Sequence, residues 1–304
     1  MLTFSERERL CERLFEEEGP FWHIYTDGNK MADIFCCEDE MKAGILALAV
    51  AACQTTESEL ITFELMNNHV HLIAKGSKEK CSELFERFRL RIIRAYNSIE
   101  KVVDWRGFQA EILEIESLKA LRNEIIYVNR NAFVANPQYT PFSYPWGGGC
   151  AYFSPFYRML PTIGYPEAGF NKWRKMTHCR DIDMLKGLRF IGNAVFIPSF
   201  CRIDIGEALF QNARSYFYSL TRNAEAFSQT AARLKDTIFL TDDEMYAVAI
   251  KFTDQQFGNR QITQLSPDQR IRTAKELHFR YNASNQQLRR ILKLELSLLN
   301  ELFP

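Results

Sequence analysis

Two histidines, His69 and His71, have the residue type and spacing best suited to chemistry in this sequence. They are two of only five histidines in the chain. Side chains at positions i and i+2 of a β-strand project from the same side, so both imidazoles can reach one metal ion. Apolar residues flank the pair on both sides, as in the central strand of a sheet. The pair predicts a metal site, although unrelated core or surface histidines also occur at this spacing.

A tyrosine and an asparagine further along the chain share one face of a predicted helix. Tyr127 and Asn131 are four residues apart in this segment, so they lie one turn from each other. They can face a metal together. The alternative interpretation of Tyr127 is an ordinary core tyrosine on an amphipathic helix.

The elements that position these residues follow from hydrophobic periodicity and turn residues. The hairpin that carries the histidines turns at Asn67-Asn68, and Ser117 is the expected cap of the helix that carries Tyr127. The predicted strands are residues 21–26, 59–66, 69–74 and 108–115, and the predicted helices are residues 38–53, 78–99 and 117–134. This order predicts an α+β fold, a ferredoxin-like or RRM-like βαββαβ antiparallel sheet with helices on one face and the other face free.

Several segments resemble, in the same order, the HUH single-strand transposases, specifically the branch of REP-associated tyrosine transposases. Met66-Asn67-Asn68-His69-Val70-His71-Leu72-Ile73 is similar to the family signature Met-Pro-Asn-His-x-His-Leu-Leu. The further similar segments are Phe88-Arg89 to Tyr96-Asn97, Trp105-Arg106, Tyr127 to Asn131, and Ser143 to Gly148. The matches cover about residues 20–150 of the sequence. Asn67 and Ala132 stand where the family has proline.

The resemblance implies a DNA strand transferase that cleaves and rejoins single-stranded or hairpin DNA, as in DNA transposition. It implies that the hydroxyl of Tyr127 attacks a DNA phosphate and forms a covalent 5′-phosphotyrosine. The implied metal ligands are His69, His71 and Asn131. The implied ion is Mg²⁺ or Mn²⁺, although imidazole ligands alone suit zinc or manganese better than magnesium.

A metal suits this chemistry because a tyrosine hydroxyl titrates near about pH 10 and is a poor nucleophile at neutral pH. A divalent ion on a phosphate oxygen makes the phosphorus more electrophilic and offsets the charge that builds during attack. The phosphotyrosine retains the energy of the phosphodiester, so rejoining needs no ATP. This agrees with the lack of a Gly-x-x-x-x-Gly-Lys phosphate loop in the sequence.

The distribution of charge matters more than its sum for a DNA partner. The chain has 38 Lys and Arg and 38 Asp and Glu, whereas nucleic-acid binders usually carry a basic excess. Residues 258–294 nevertheless hold eight Lys or Arg against two acids, and residues 78–101 hold seven Lys or Arg. Solvated helix faces are the alternative interpretation of both stretches. The candidate DNA contacts are Arg87, Arg89, Arg91, Arg94, Arg289, Arg290 and Lys293.

The pattern becomes mostly helical after a connection rich in proline, glycine and aromatic residues at 136–155. We therefore expect a catalytic domain at residues 1–150 and a mostly helical domain at residues 151–304. Its last part, about residues 265–304, is similar to a helix-turn-helix, with helices expected at 267–281, 284–292 and 296–303. The last of these helices would face the major groove.

Two other functions remain open from the sequence. One is a domesticated, non-cleaving protein that recognises DNA hairpins or its own promoter. The other is a metal-dependent hydrolase that uses the histidine pair on a different phosphoester. Monomeric and homodimeric forms are both compatible with the resemblance.

The location of the protein is expected to be cytoplasmic. The longest apolar stretch, Ala43 to Cys53, is about half of what spans a bilayer, so no membrane partner is expected. The first eighteen residues, up to Glu18, lack the apolar run of a secretory signal. The eight cysteines include no Cys-x-x-Cys pair and are typical of reduced core thiols.

Overall fold

The computed structural model describes residues 3–135, 139–140, 142–222, 224–234, 236 and 240–304. The fold is α+β, as expected, with a four-stranded antiparallel sheet, a small three-stranded sheet and many helices. The chain divides into two compact units, Met1–Tyr218 and Ser219–Pro304. Among the helices of the described residues, none is both long enough and apolar enough to cross a membrane.

The main sheet of the first unit contains the four strands that the periodicity predicts. They are β1 (Phe21–Thr26), β2 (Ser58–Leu65), β3 (Val70–Gly76) and β4 (Ala110–Ile115). The spatial order is β2-β3-β1-β4, and each neighbouring pair is antiparallel. Each observed strand end lies within two residues of its predicted position.

Four helices precede or connect these strands or follow the last of them. They are α1 (Phe4–Glu18), α2 (Glu38–Gln54), α3 (Lys78–Ser98) and α4 (Leu118–Ala135). Three acidic residues occupy the first turn of α2, where they stabilise the positive end of the helix dipole. Ser77 caps α3 by accepting from the amide of Lys80, and Ser117 accepts from the amide of Ala120 at the start of α4. The predicted cap at Ser117 is confirmed, whereas α1 was not expected.

The two faces of the sheet carry different helices. α2 and α3 pack against each other, and Gly44 of α2 lies so close to β2 that an added Cβ would be 2.9 Å from Leu65. The neighbouring residue Glu64 points to the opposite face, because successive side chains alternate. Helix α4 contacts β2 and β3 from that opposite face, where Thr62 bonds to Asn129. The expectation of a free second face was wrong, and every residue of β1 is buried.

Residues beyond 150 continue the first unit, so the boundary expected near residue 150 lies instead after Tyr218. The amide of Leu65 donates to the carbonyl of Trp146 at 3.0 Å, and the amide of Arg202 donates to the carbonyl of Leu60 at 2.7 Å. These long-range bonds extend the edge of β2. The elements of this part are α5 (Pro155–Arg158), β5 (Ile163–Gly164), α6 (Tyr165–Thr177), β6 (Arg189–Ile191), β7 (Ala194–Val195) and α7 (Ile203–Ala208). The division after Tyr218 falls within α8 (Ala213–Arg222).

The second unit is helical over most of its described residues. Its helices are α9 (Ala224–Leu234), α10 (Asp242–Phe257), α11 (Pro267–Tyr281), α12 (Asn285–Leu292) and α13 (Leu296–Leu302). Ser266 caps α11 and Ser284 caps α12, in each case with a reciprocal bond from a glutamine three residues later. The last three helices agree with the predicted segments to within one residue.

Candidate metal centre and neighbouring tyrosine

The two histidines converge at the start of β3. His69 lies in the hairpin turn immediately before the strand, and His71 is the second residue of the strand. Their ring centroids are 5.1 Å apart with the planes at 88°, and one nitrogen of each ring lies within 4.8 Å of the other. A shared ion with ligand bonds of about 2.1 Å requires nitrogens within about 4.2 Å of each other, a requirement that is compatible with the 4.8 Å limit. The pair can therefore hold a metal ion.

The turn that carries His69 is tied to neighbouring loops. The amide of Met66 donates to the carbonyl of His69 at 2.9 Å. Asn68 donates through Nδ2 to the carbonyl of Gly28, and its Oδ1 lies 2.8 Å from Nδ1 of His69. The carbonyl of Asn67, where the resembled family has proline, accepts from two amides of the 34–35 segment. These bonds fix the direction of the His69 ring.

His71 is fully buried and bonded to a second histidine on the adjacent strand. Nδ1 of His71 lies 3.0 Å from Nε2 of His23, and Nδ1 of His23 lies 3.1 Å from a carboxylate oxygen of Glu124 on α4. The pairing of β1 with β3 sets Tyr25 opposite His71, so the alternate residue His23 shares the same face. The sequence periodicity alone does not reveal this pairing.

The predicted nucleophile lies beside the buried histidine. The ring of Tyr127 meets the ring of His71 edge-on, with centroids 5.7 Å apart. On the other strand, Tyr25 stacks on His71 at 6.2 Å and donates its hydroxyl to Glu111 at 2.8 Å. The exposed fraction of Tyr127 is 1%. The phenol is thus next to the imidazoles, in a largely enclosed position.

Asn131 is also buried, one helical turn beyond Tyr127 on α4. Between them, Asn129 accepts at Oδ1 from the Thr62 hydroxyl at 2.5 Å and donates through Nδ2 to the Tyr216 hydroxyl at 3.0 Å. This network holds α4 against β2. The spacing on α4 places Glu124, Tyr127 and Asn131 along one side of the helix.

The candidate arginines of α3 lie on the other face of the sheet from His71. Arg87 pairs with Glu83 at 2.8 Å, and Arg89 donates to the carbonyl of Phe108 at 2.9 Å. Arg91 donates to a carbonyl of α6 at 3.4 Å, and burial lowers the pKa of its guanidinium. Arg94 is exposed. Since α3 packs with α2 on that other face, these residues do not adjoin the histidine pair.

The candidate cations of the second unit gather on α12 and the turn that follows it. They line an open concavity of about 500 Å³ formed by Gln286, Arg289, Arg290, Lys293, Leu294 and Glu295. Arg290 also makes a two-pronged bond to Asp242, with distances of 2.6 and 2.9 Å. Helix α13, the helix expected to face the major groove, has the sequence LSLLNEL and contains no basic residue. The cationic surface therefore belongs to α12.

Comparison with models of protein families, with curated proteins and with solved structures found no match to this chain. The site is therefore defined by its own residues. They are two histidines with one ring nitrogen each within 4.8 Å of the other, a phenol beside one of them, and a buried carboxylate that reaches the same histidine through His23.

Proposed function

We propose that the chain is a metal-dependent DNA strand transferase of the transposase type, which cleaves and rejoins single-stranded or hairpin DNA through a covalent 5′-phosphotyrosine. The observation that carries the proposal is the position of Tyr127, whose ring lies 5.7 Å from that of His71. The motif resemblance over about residues 20–150 supports the same proposal.

We also infer that the main sheet is a ferredoxin-like βαββαβ unit. The strand order β2-β3-β1-β4, antiparallel at each pair, supports this inference, as do the two connecting helices α2 and α3 on one face. In this arrangement the opposite face, with β3 at its centre, presents the histidines. Helix α4 then brings the nucleophile to the same face.

The donor set fits a divalent ion such as Mg²⁺ or Mn²⁺, and imidazole ligands favour Mn²⁺ of the two. Along α4, Glu124 is level with His23 and Tyr127 with His71. Four helical residues advance about 6 Å and two strand residues about 6.6 Å, so Asn131 falls near the level of His69. The amide oxygen of Asn131 can therefore complete the ligand set.

The chemistry follows from these positions. When bound, the ion withdraws electron density from a DNA phosphate and offsets the charge that develops on it. The hydroxyl oxygen of Tyr127 attacks phosphorus and forms a new O–P bond as the bond to the 3′ oxygen breaks. The phenol loses one proton, and the leaving 3′ oxygen takes up one proton to become a hydroxyl. The products are a 3′-hydroxyl end and a 5′-phosphotyrosine. Attack by a 3′-hydroxyl on that linkage reverses the step and rejoins DNA.

The phosphate contacts that this function needs are proposed to come from the basic residues of α3 and α12. Arg289 on α12 and Lys293 in the turn that follows it are exposed beside the open concavity. On α3, Arg94 is exposed, whereas Arg89 bonds to a backbone carbonyl. The exposed members are better placed to meet DNA.

The test is a covalent-adduct assay with the full chain, Mn²⁺ and a labelled hairpin oligonucleotide. We expect an adduct that survives denaturing electrophoresis, and we expect Tyr127→Phe to abolish it. Tyr96→Phe is the matched control, because Tyr96 is an equally buried tyrosine whose hydroxyl bonds to Ile34 on the opposite face of the sheet. An adduct that persists in Tyr127→Phe would show that the nucleophile is another residue.

The burial of Tyr127 favours one alternative, a DNA-binding protein that no longer cleaves. That alternative predicts tight, salt-dependent hairpin binding that His69→Ala leaves unchanged, with no adduct under any metal. Strand cleavage without an adduct, surviving in Tyr127→Phe, would instead support a metal-dependent hydrolase. The same assay separates the three outcomes.

A further inference from the structure

Three buried side chains from three elements form a continuous chain behind the candidate metal centre. Glu124 of α4 meets Nδ1 of His23 on β1 at 3.1 Å, and Nε2 of His23 meets Nδ1 of His71 on β3 at 3.0 Å. The exposed fractions are 2% for Glu124 and 0% for both histidines. Both ring nitrogens of His23 are engaged in this chain, so His23 is not itself placed to bind an ion.

The hydrogens in such a chain can point in only one direction at a time. A neutral imidazole carries one N–H donor and one acceptor nitrogen. If Glu124 is ionised and His23 is neutral, the carboxylate can only accept, so His23 donates from Nδ1 and accepts at Nε2. His71 then donates from Nδ1, which leaves the lone pair of the ring on Nε2. In the reverse direction, the hydrogen of His71 would be on Nε2, and that nitrogen could not bind a cation.

We propose that Glu124 and His23 are positioning residues that hold His71 in the tautomer with hydrogen on Nδ1, so that Nε2 binds a divalent cation. The inference rests on the proposed function only in its choice of His71 as a ligand. Carboxylate or carbonyl partners commonly set the tautomer of a metal-bound histidine and raise its basicity. Here a second histidine transmits that effect from the carboxylate to the ligand.

The burial of the hydrogen-bonded series Glu124, His23 and His71 explains why it can act on the cation site. His71 is buried between Tyr25 and Tyr127, which contact its ring from two sides. The ring is thereby held with Nδ1 towards His23. In a buried network each hydrogen bond constrains the next, because little water is present to replace a missing partner. If His23 no longer offers an acceptor, neither the tautomer of His71 nor the orientation of its ring is fixed.

The first measurement is the affinity of the full chain for Mn²⁺ alone, without DNA, followed by the EPR signal of free Mn²⁺. His23→Leu removes the acceptor for His71, whereas His23→Gln keeps an oxygen in reach of it. We expect His23→Leu and Glu124→Leu to weaken Mn²⁺ binding by about 10- to 100-fold. We expect His23→Gln to recover most of the affinity. A merely structural role would lower stability in these variants without changing affinity in the folded fraction.

The second measurement needs no ion. Long-range ¹⁵N–¹H NMR on metal-free protein with labelled histidines reports the tautomer of each of the five rings. The signal of His71 is assigned by its loss in His71→Gln. We expect the Nδ1–H tautomer at His71 in the wild-type chain and a mixture in Glu124→Leu. Glu124→Gln, with nearly the same shape, serves if the leucine variant does not fold.

Two results would overturn the inference. One is an Nε2–H tautomer at His71 in the wild-type protein. The other is unchanged Mn²⁺ affinity and an unchanged tautomer in folded His23→Leu. Failure of the proposed strand transfer gives a different pattern, namely no DNA adduct from a protein that still binds Mn²⁺ and shows the expected tautomer.

Discussion

The ring of His71 meets the ring of Tyr127 edge-on, at 86° and with centroids 5.7 Å apart, across the interface between β3 and α4. The two residues are distant in sequence and belong to different elements. Their contact requires α4 to lie on the face of the sheet opposite α2 and α3. The stability of that interface therefore bears directly on the candidate site.

Thr62→Val should destabilise the interface between α4 and the sheet. The Thr62 hydroxyl donates to the buried side-chain oxygen of Asn129 at 2.5 Å, and valine leaves that oxygen without this donor. An unsatisfied buried acceptor costs about 1–3 kcal/mol, so we expect a loss of that size in the free energy of unfolding. Urea denaturation measures it. Thr62→Ser, which keeps the hydroxyl, is the control, and equal stability of the valine and serine variants would contradict the prediction.

Gly206→Ala should destabilise the first unit, although alanine usually favours a helix. An added Cβ at Gly206 would overlap the hydroxyl of Tyr152, which donates to the carbonyl of Ile61 at 2.8 Å. Overpacking together with the displaced hydrogen bond should cost about 2–3 kcal/mol. The measurement is the thermal or urea midpoint. At Gly187 an added Cβ meets no atom within 4 Å, so Gly187→Ala should behave like the wild type.

Asp242 should give the second unit a pH-dependent contribution to stability. Hydrogen bonds from Arg290 lower the pKa of Asp242 in the folded chain. A lowered carboxyl pKa adds stability above the unfolded value, about 3.9, and that stability is lost as the pH falls through the folded value. The side chain of Asp242 is 45% exposed and that of Arg290 is 53% exposed, so the pair contributes at most about 1 kcal/mol to the free energy of unfolding.

The measurement for Asp242 is urea unfolding of wild type and Asp242→Asn at neutral pH and at a pH below the folded pKa. Wild type should have a larger free energy of unfolding than Asp242→Asn at neutral pH, and this difference should vanish in acid. Asp243→Asn is the control, because Asp243 is exposed in the same first turn of α10 and shares the helix dipole. If both substitutions lower the free energy of unfolding equally, the stabilisation comes from the helix dipole and not from the pair with Arg290.

Arg289→Ala and Lys293→Ala should weaken DNA binding if α12 contacts phosphates. Each lost phosphate contact should reduce the slope of log K against log salt by about 0.9 for duplex DNA, uniformly across sequences. Fluorescence anisotropy over a salt series gives the slope. Arg280→Ala is the control, since Arg280 is an exposed arginine of α11 paired with Glu276 at 3.0 Å. If the control alters the slope as much, α12 has no special role.

The sequence by itself determined the local elements and the directions of the residues within them. The strands and helices of residues 21–135 lie where periodicity and turn residues predict them, and the last three helices lie within one residue of their predicted bounds. The spacing of His69 and His71 put both rings on one side, and that of Tyr127 and Asn131 put both on one helix face. These features depend on neighbours within a few residues, so the sequence carries them directly.

Only the tertiary structure decided which elements meet. Helix α4 covers the sheet face that we expected to be free, and β1 lies beside β3, which brings His23 and Glu124 to His71. Residues beyond 150 belong to the first unit, where the amide of Arg202 bonds to the edge of β2. These contacts join residues far apart in the chain, and the order of strands that allows them is set by the packing of the whole sheet rather than by any local pattern.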